Sequence, residues 1–140
     1  AGAWLGITGV NGWSVITEFD WYPTIFWICL GVAFWIAAFD LNYARMDIES
    51  DLEHGIKSFP ARFGERHTLR TSVQFTLLWF ACFAIANPVD EITFLSAALL
   101  MCIINAGVII AQNRINDFQK TFYYTSVVTG WVLLGGLMAA

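Results

Sequence analysis

Charge is what this chain has least of. Only 13% of its 140 residues are Asp, Glu, Lys or Arg, against 58% hydrophobic. Four stretches, 21–39, 71–89, 92–113 and 121–140, carry no charge at all. They are 19, 19, 22 and 20 residues long, and about 20 apolar residues cross a hydrocarbon core. Each is therefore expected to be a transmembrane helix, which excludes an ordinary water-soluble domain. Cysteine is scarce too. Cys29, Cys82 and Cys102 all lie inside apolar runs, without the spacing of a disulfide framework or a zinc site, and read as small packing side chains. His54 and His67 have no metal-ligand spacing with any Cys or His. There is no nucleophile–base pair, dinucleotide fingerprint, internal repeat or low-complexity segment, and no nucleic acid is expected as a partner.

The placement of basic residues orients the spans. All seven Lys and Arg fall in two connections: Arg45, Lys57, Arg62, Arg66 and Arg70 in 40–70, and Arg114 and Lys120 in 114–120. The segment 1–20 and the turn 87–91 have none. Four spans put the two basic connections on one side, the cytoplasmic one by the positive-inside rule. Residues 1–17 are uncharged but carry four glycines, so they read as the end of a preceding helix plus an external loop. Trp21 and Tyr22 suit the outer interface and Tyr123 and Tyr124 the inner one. The chain opens at Ala1 without Met, basic n-region or cleavage site, so no signal peptide is expected at its start. Opening inside an apolar segment, it reads as the C-terminal part of something longer.

Against this sparse background stands an acidic ladder. Asp40, Tyr43, Asp47 and Asp51 are spaced i, i+3, i+7, i+11, which at about 100° per residue places them on one face of a helix. The helix entering at Pro23 is accordingly expected to continue to about Asp51. Carboxylates four residues apart lie about 5–6 Å from each other and repel unless a cation intervenes. Hard oxygen ligands suit Mg²⁺, which shares its sphere with phosphate oxygens, so the ladder reads as a magnesium–diphosphate clamp. Asp40 follows an apolar run directly, and an ionised side chain at that depth needs a partner. Glu49 and Glu53 point elsewhere and read as solvated. Arg45 is off the ladder face, a counter-charge or a headgroup anchor. Lys57 and Arg62 in the following loop fit cationic ligands for diphosphate oxygens, with Ser58 adding a hydroxyl. Asn105, mid-span, suits a helix-to-helix hydrogen bond.

The pattern Asp40-x₂-Tyr43-Ala44-x₂-Asp47-x₃-Asp51, followed by Gly55-x₂-Ser58-x-Pro60-x₃-Gly64, resembles the second aspartate-rich motif of the UbiA superfamily of intramembrane prenyltransferases. It looks most like the 4-hydroxybenzoate polyprenyltransferase branch, including relatives in the futalosine route to menaquinone, and less like haem O or chlorophyll synthases. The resemblance covers essentially the whole chain. It implies an all-α polytopic transmembrane bundle, here four full spans plus the end of a fifth, matching the second half of a fold of about nine helices. Residues 1–140 would be the C-terminal part of one membrane domain, with 40–70 its cytoplasmic motif and loop, in the cell (inner) membrane. The family's first motif, Asn-Asp-x₂-Asp-x₃-Asp, is missing: Asn116-Asp117 has no second aspartate after it. The resemblance therefore implies an absent N-terminal half and an isolated chain that is inactive.

It further implies a polyprenyl diphosphate and a small aromatic acceptor, hydroxybenzoate- or naphthoate-like, within membrane lipid. Mg²⁺ held between two aspartate clusters would promote diphosphate departure, and the ring would attack the allylic cation. Asp47 and Asp51 would ligate the metal, and Asp40 and Tyr43 would act at the reacting centre. Two other classes fit less well. A CDP-alcohol phosphotransferase needs an Asp-Gly where Asn42-Tyr43 stands. A channel or transporter with an acidic vestibule needs polar residues along a path through the bilayer, and the other spans offer only Gln74, Asn87, Asn105 and a few hydroxyls.

Overall fold

The computed structural model describes residues 23–89 and 92–139. The expectations for 1–17, for Trp21 and Tyr22, and for the Asp90-Glu91 turn lie outside the described residues. Among the described residues the chain is helical throughout, without strands. Helix α1 is Pro23–Ala44, with proline at the first helical position, where its missing N–H is not needed. A 3₁₀ turn, Arg45–Asp47, leads into the short α2, Ile48–Glu53. Helix α3, Phe59–Phe63, is capped by Ser58. Helix α4 is Glu65–Ala86, α5 is Ile92–Ile110, a second 3₁₀ turn covers Gln112–Arg114, and α6 is Phe118–Met138.

The helices fall where charge is missing, with edges displaced. Glu65 to Arg70 forms the first turns of α4, ahead of the uncharged run. That helix ends as expected at Asn87, whose left-handed backbone (φ 32°) sends its N–H back to the Phe83 carbonyl at 2.9 Å. Helices α1, α4 and α5 are long and apolar enough to cross a membrane. The fourth expected span forms α6, of 21 residues, its first half interrupted by Thr121, Tyr123, Tyr124, Thr125, Ser126 and Thr129.

Successive long helices pack side by side: α1 on α4, α4 on α5, α5 on α6, with α3 against α4 and α1. One apolar cluster gathers Trp79 and Phe83 of α4, Phe94, Ala98, Met101 and Cys102 of α5 and Leu133 of α6. A second, toward the end bearing the acidic ladder, holds Ile109, Phe118 and Phe122, flanked by Phe39, Tyr43, Leu69 and Val73. Without a hydrophobic force between helices in lipid, polar pairs and close backbone approach take over. Asn42, 1% exposed, donates to the Ala38 carbonyl at 2.6 Å and to the Ser72 hydroxyl of α4. Asn105 donates to the Met101 carbonyl and the Thr129 hydroxyl of α6, both at 2.7 Å, the interhelical bond expected of it. The Cys102 thiol faces the Thr76 carbonyl at 3.7 Å, and all three cysteines are free.

Candidate functional site

The ladder does not ride on one unbroken helix. Helix α1 stops at Ala44, and the 3₁₀ turn over Arg45–Asp47 intervenes before α2. A 3₁₀ turn advances about 120° per residue against about 100° in an α-helix, so Asp47 and Asp51 are rotated relative to Asp40 and Tyr43. The chain does stay helical past Asp51, to Glu53, as expected, with the 3₁₀ turn shifting the phase of its last segment.

Asp40 is exposed at the end of α1. Tyr43 is half-buried, its ring stacked on Phe39 with centroids 4.5 Å apart and tilted toward Phe122 of α6 at 6.4 Å. One ring face is therefore occupied by protein. Asp47 is exposed, and its carboxylate makes no cap hydrogen bond to α2. Asp51, one turn further along, accepts a hydrogen bond from the Ser58 hydroxyl at 2.5 Å, while its backbone carbonyl receives the Ile56 N–H at 2.8 Å. Ser58 also caps α3 by accepting from the Ala61 N–H at 3.3 Å. The hydroxyl expected to serve diphosphate thus donates its proton to Asp51 instead.

Two basic side chains come together. Lys57 and Arg62, both exposed, line one cavity of about 530 Å³ with Leu52, Gly55, Ile56 and Ala61. The Arg62 guanidinium lies 5.3 Å from the Phe63 ring centre. Gly55 (φ 67°) makes the reversal that folds the loop back, a conformation costly for any residue with a Cβ. Through Ser58, the wall of this basic cavity is joined directly to the Asp51 carboxylate.

Among the described residues, no three His, Cys, Asp or Glu side chains converge as a metal-holding group. Asp47 and Asp51 offer two hard carboxylates one helical turn apart, the first exposed and the second half-buried with one oxygen bonded to Ser58. Mg²⁺ commonly takes one or two carboxylates and completes its octahedron with water and phosphate oxygens, so this donor set fits it as a partial site. Carboxylate on one side and Lys57 with Arg62 on the other suit an anion that itself carries a divalent cation.

Three contributors to this end of the bundle have no local sequence signal. The Arg45 side chain is 14% exposed and forms an ion pair with Glu65, the first residue of α4. The same guanidinium donates to the side-chain amide oxygen of Asn113 at 3.5 Å and lies 5.5 Å from the Phe118 ring centre. Arg45 is therefore tied to protein, with Glu65 as the opposite charge. Its reach to Asn113 places both basic connections at the same end of the bundle. Glu65 and Asn113 lie 20 and 68 residues away in sequence, beyond any periodicity.

The UbiA prenyltransferase family model matches residues 1–127. The 4-hydroxybenzoate octaprenyltransferase of Polynucleobacter necessarius subsp. necessarius (strain STIR1) is 26% identical over 121 residues, 83% of this chain and 42% of that protein. The protein of the same name from Shewanella pealeana (strain ATCC 700345 / ANG-SQ1) is 32% identical over 108 residues, 74% of this chain and 37% of that protein. The chain thus spans about two fifths of the length of these curated relatives. No solved structure matches it. An all-α membrane bundle, an aspartate motif beside a basic cavity and a family match over nearly the whole length agree, and the chain belongs to the UbiA prenyltransferase family.

Proposed function

We propose that these residues form the C-terminal part of an enzyme that moves a polyprenyl group from an allylic diphosphate to a hydroxybenzoate- or naphthoate-like acceptor in quinone biosynthesis. The observation that carries the reading is the Ser58 hydrogen bond, which joins a carboxylate turn to a cavity lined by Lys57 and Arg62. The names of the two relatives point to the same chemistry. In this reading Asp47 and Asp51 hold Mg²⁺, which when bound neutralises diphosphate and favours its departure. Lys57 and Arg62 receive the outer diphosphate oxygens as charge builds on the leaving group. The allylic C–O bond breaks with its electron pair going to diphosphate, an acceptor ring carbon bonds to the allylic carbon, and the ring proton is then lost. Ser58 keeps Asp51 in register. Asp40, at the lip of the bilayer, positions the acceptor, and the Tyr43 ring face not covered by Phe39 stabilises developing positive charge. The prenyl tail lies along apolar helix walls. The loop end of the bundle faces the cytoplasm of the cell membrane.

The test is an assay of the full-length protein in membranes, with a labelled allylic diphosphate and 4-hydroxybenzoate or a naphthoate. Prenylated acceptor is expected, dependent on Mg²⁺ and abolished by EDTA. Residues 1–140 alone are expected to give none, since one aspartate cluster supplies only part of the metal set. Turnover that survives EDTA, or full turnover by 1–140, would overturn this account.

A further inference from the structure

Arg45 stands between the two halves of the ladder, yet it faces away from both. It and Glu65 bracket the whole segment that carries Asp47, Asp51, Lys57 and Arg62. Their ion pair closes this segment at its base, 20 residues apart in sequence. A third contact, to Asn113, links that closure to the other connection, and the Phe118 ring of α6 covers the guanidinium. The pair is lopsided in exposure, 14% for Arg45 against 54% for Glu65. Removing Glu65 therefore strands a largely desolvated cation, whereas Glu65 itself can return to water. The arginine also sits in the 3₁₀ turn that sets the rotation of Asp47 and Asp51, so whatever holds Arg45 holds that rotation.

We infer that Arg45 is a positioning residue for the aspartate site, acting through a clasp with Glu65 and Asn113 and touching neither substrate nor metal. The inference rests on the reading of Asp47 and Asp51 as metal ligands. Planarity and several donors let one arginine serve Glu65, Asn113 and an aromatic face together, which lysine cannot do. With the clasp open, the loop keeps its residues but loses the angle at which they meet the metal.

The experiment uses the full-length protein with Mn²⁺ as a spectroscopic probe of the Mg²⁺ site. Electron paramagnetic resonance reports bound Mn²⁺, and steady-state kinetics run in parallel. Glu65→Gln, at an exposed position that leaves the helix core intact, is expected to weaken Mn²⁺ binding about tenfold, in the range seen when groups supporting metal ligands are lost. It should raise the Mg²⁺ requirement to match, with KM for the aromatic acceptor unchanged. Arg45→Lys should fall short of wild type, and the exchange Arg45→Glu with Glu65→Arg should bind Mn²⁺ better than either single change. Wild-type Mn²⁺ affinity in Glu65→Gln, or an exchange no better than its singles, would overturn the clasp. Absence of prenyl transfer by the wild-type protein would instead sink the proposed function, and the Mn²⁺ measurement would still decide the clasp.

Discussion

Asp47, Glu49 and Asp51 lie within one turn and a half of each other, and in the proposed function only Asp47 and Asp51 share a cation. Asp51 is held by Ser58 and Asp47 is left uncapped and open, whereas Glu49 is exposed on another side of α2. Asp47→Asn or Asp51→Asn in the full-length enzyme preserves shape and removes one negative charge from the metal site. Each is expected to lower kcat/KM by about 10²–10⁴-fold, or about 3–5 kcal/mol of transition-state stabilisation. Glu49→Gln should lose little, and the double Asp variant should lose less than the sum of the singles, because ligands of one metal act together. Equal damage from Glu49→Gln in the same assay would remove the basis for singling out these two carboxylates. At this scale the sequence was informative wherever a polar group interrupted an apolar run. Asn105 announced its bond to another helix in that way. Asn42 had the same signal, but it was hidden among the more conspicuous aspartates around it. Arg45 could be seen to lie off the ladder, whereas its partner could not.

Between elements, the close approach of α1 and α4 is set by a missing side chain. A Cβ at Gly31 would fall 2.8 Å from the Phe83 ring, a separation that carbon atoms do not adopt. Gly31→Ala is therefore expected to push the helices apart and cost about 1–3 kcal/mol, read as a lower thermal midpoint of the purified protein in detergent. Phe83→Leu in the same chain should recover part of the loss, and an unchanged midpoint for Gly31→Ala would refute this packing. Helix positions were legible because hydrocarbon excludes charge, and the segments without charge became helices. Their ends were less so, since α4 begins at Glu65, six residues before the uncharged run that marks it in the sequence. The break at Arg45–Asp47 was not legible at all. Nothing in Ala44-Arg45-Met46-Asp47 disfavours an α-helix, and the contacts that accompany the tighter turn come from Glu65 and Asn113, far along the chain.

Viewed whole, the bundle turns its polarity inside out. Asn42, Ser72, Thr76, Asn105 and Thr129 are buried, while Leu99, Leu100, Ile103 and Ile110 of α5 are exposed, the distribution expected where lipid is the solvent. The basic connections share one end, joined by Arg45 and Asn113. In a full-length background without the native cysteines, a cysteine at Ser58 is expected to react with an impermeant maleimide only after the cell membrane is opened, and one at Asp90 in intact cells. Labelling of position 58 from outside would reverse the orientation. The 3₁₀ turn has one more consequence at this scale. Helix α1 ends at Ala44, and Asp47 and Asp51 begin beyond it, past Arg45, whose side chain lies against Phe118 of α6. Deleting Met46, a residue of the 3₁₀ turn, would turn both carboxylates by about 120° about the helix axis, with every residue of the two apolar clusters kept. The aim of these carboxylates can thus be retuned by residues within the turn, while the anchor of that turn, Arg45 on Glu65 and Phe118, belongs to the assembly of the spans.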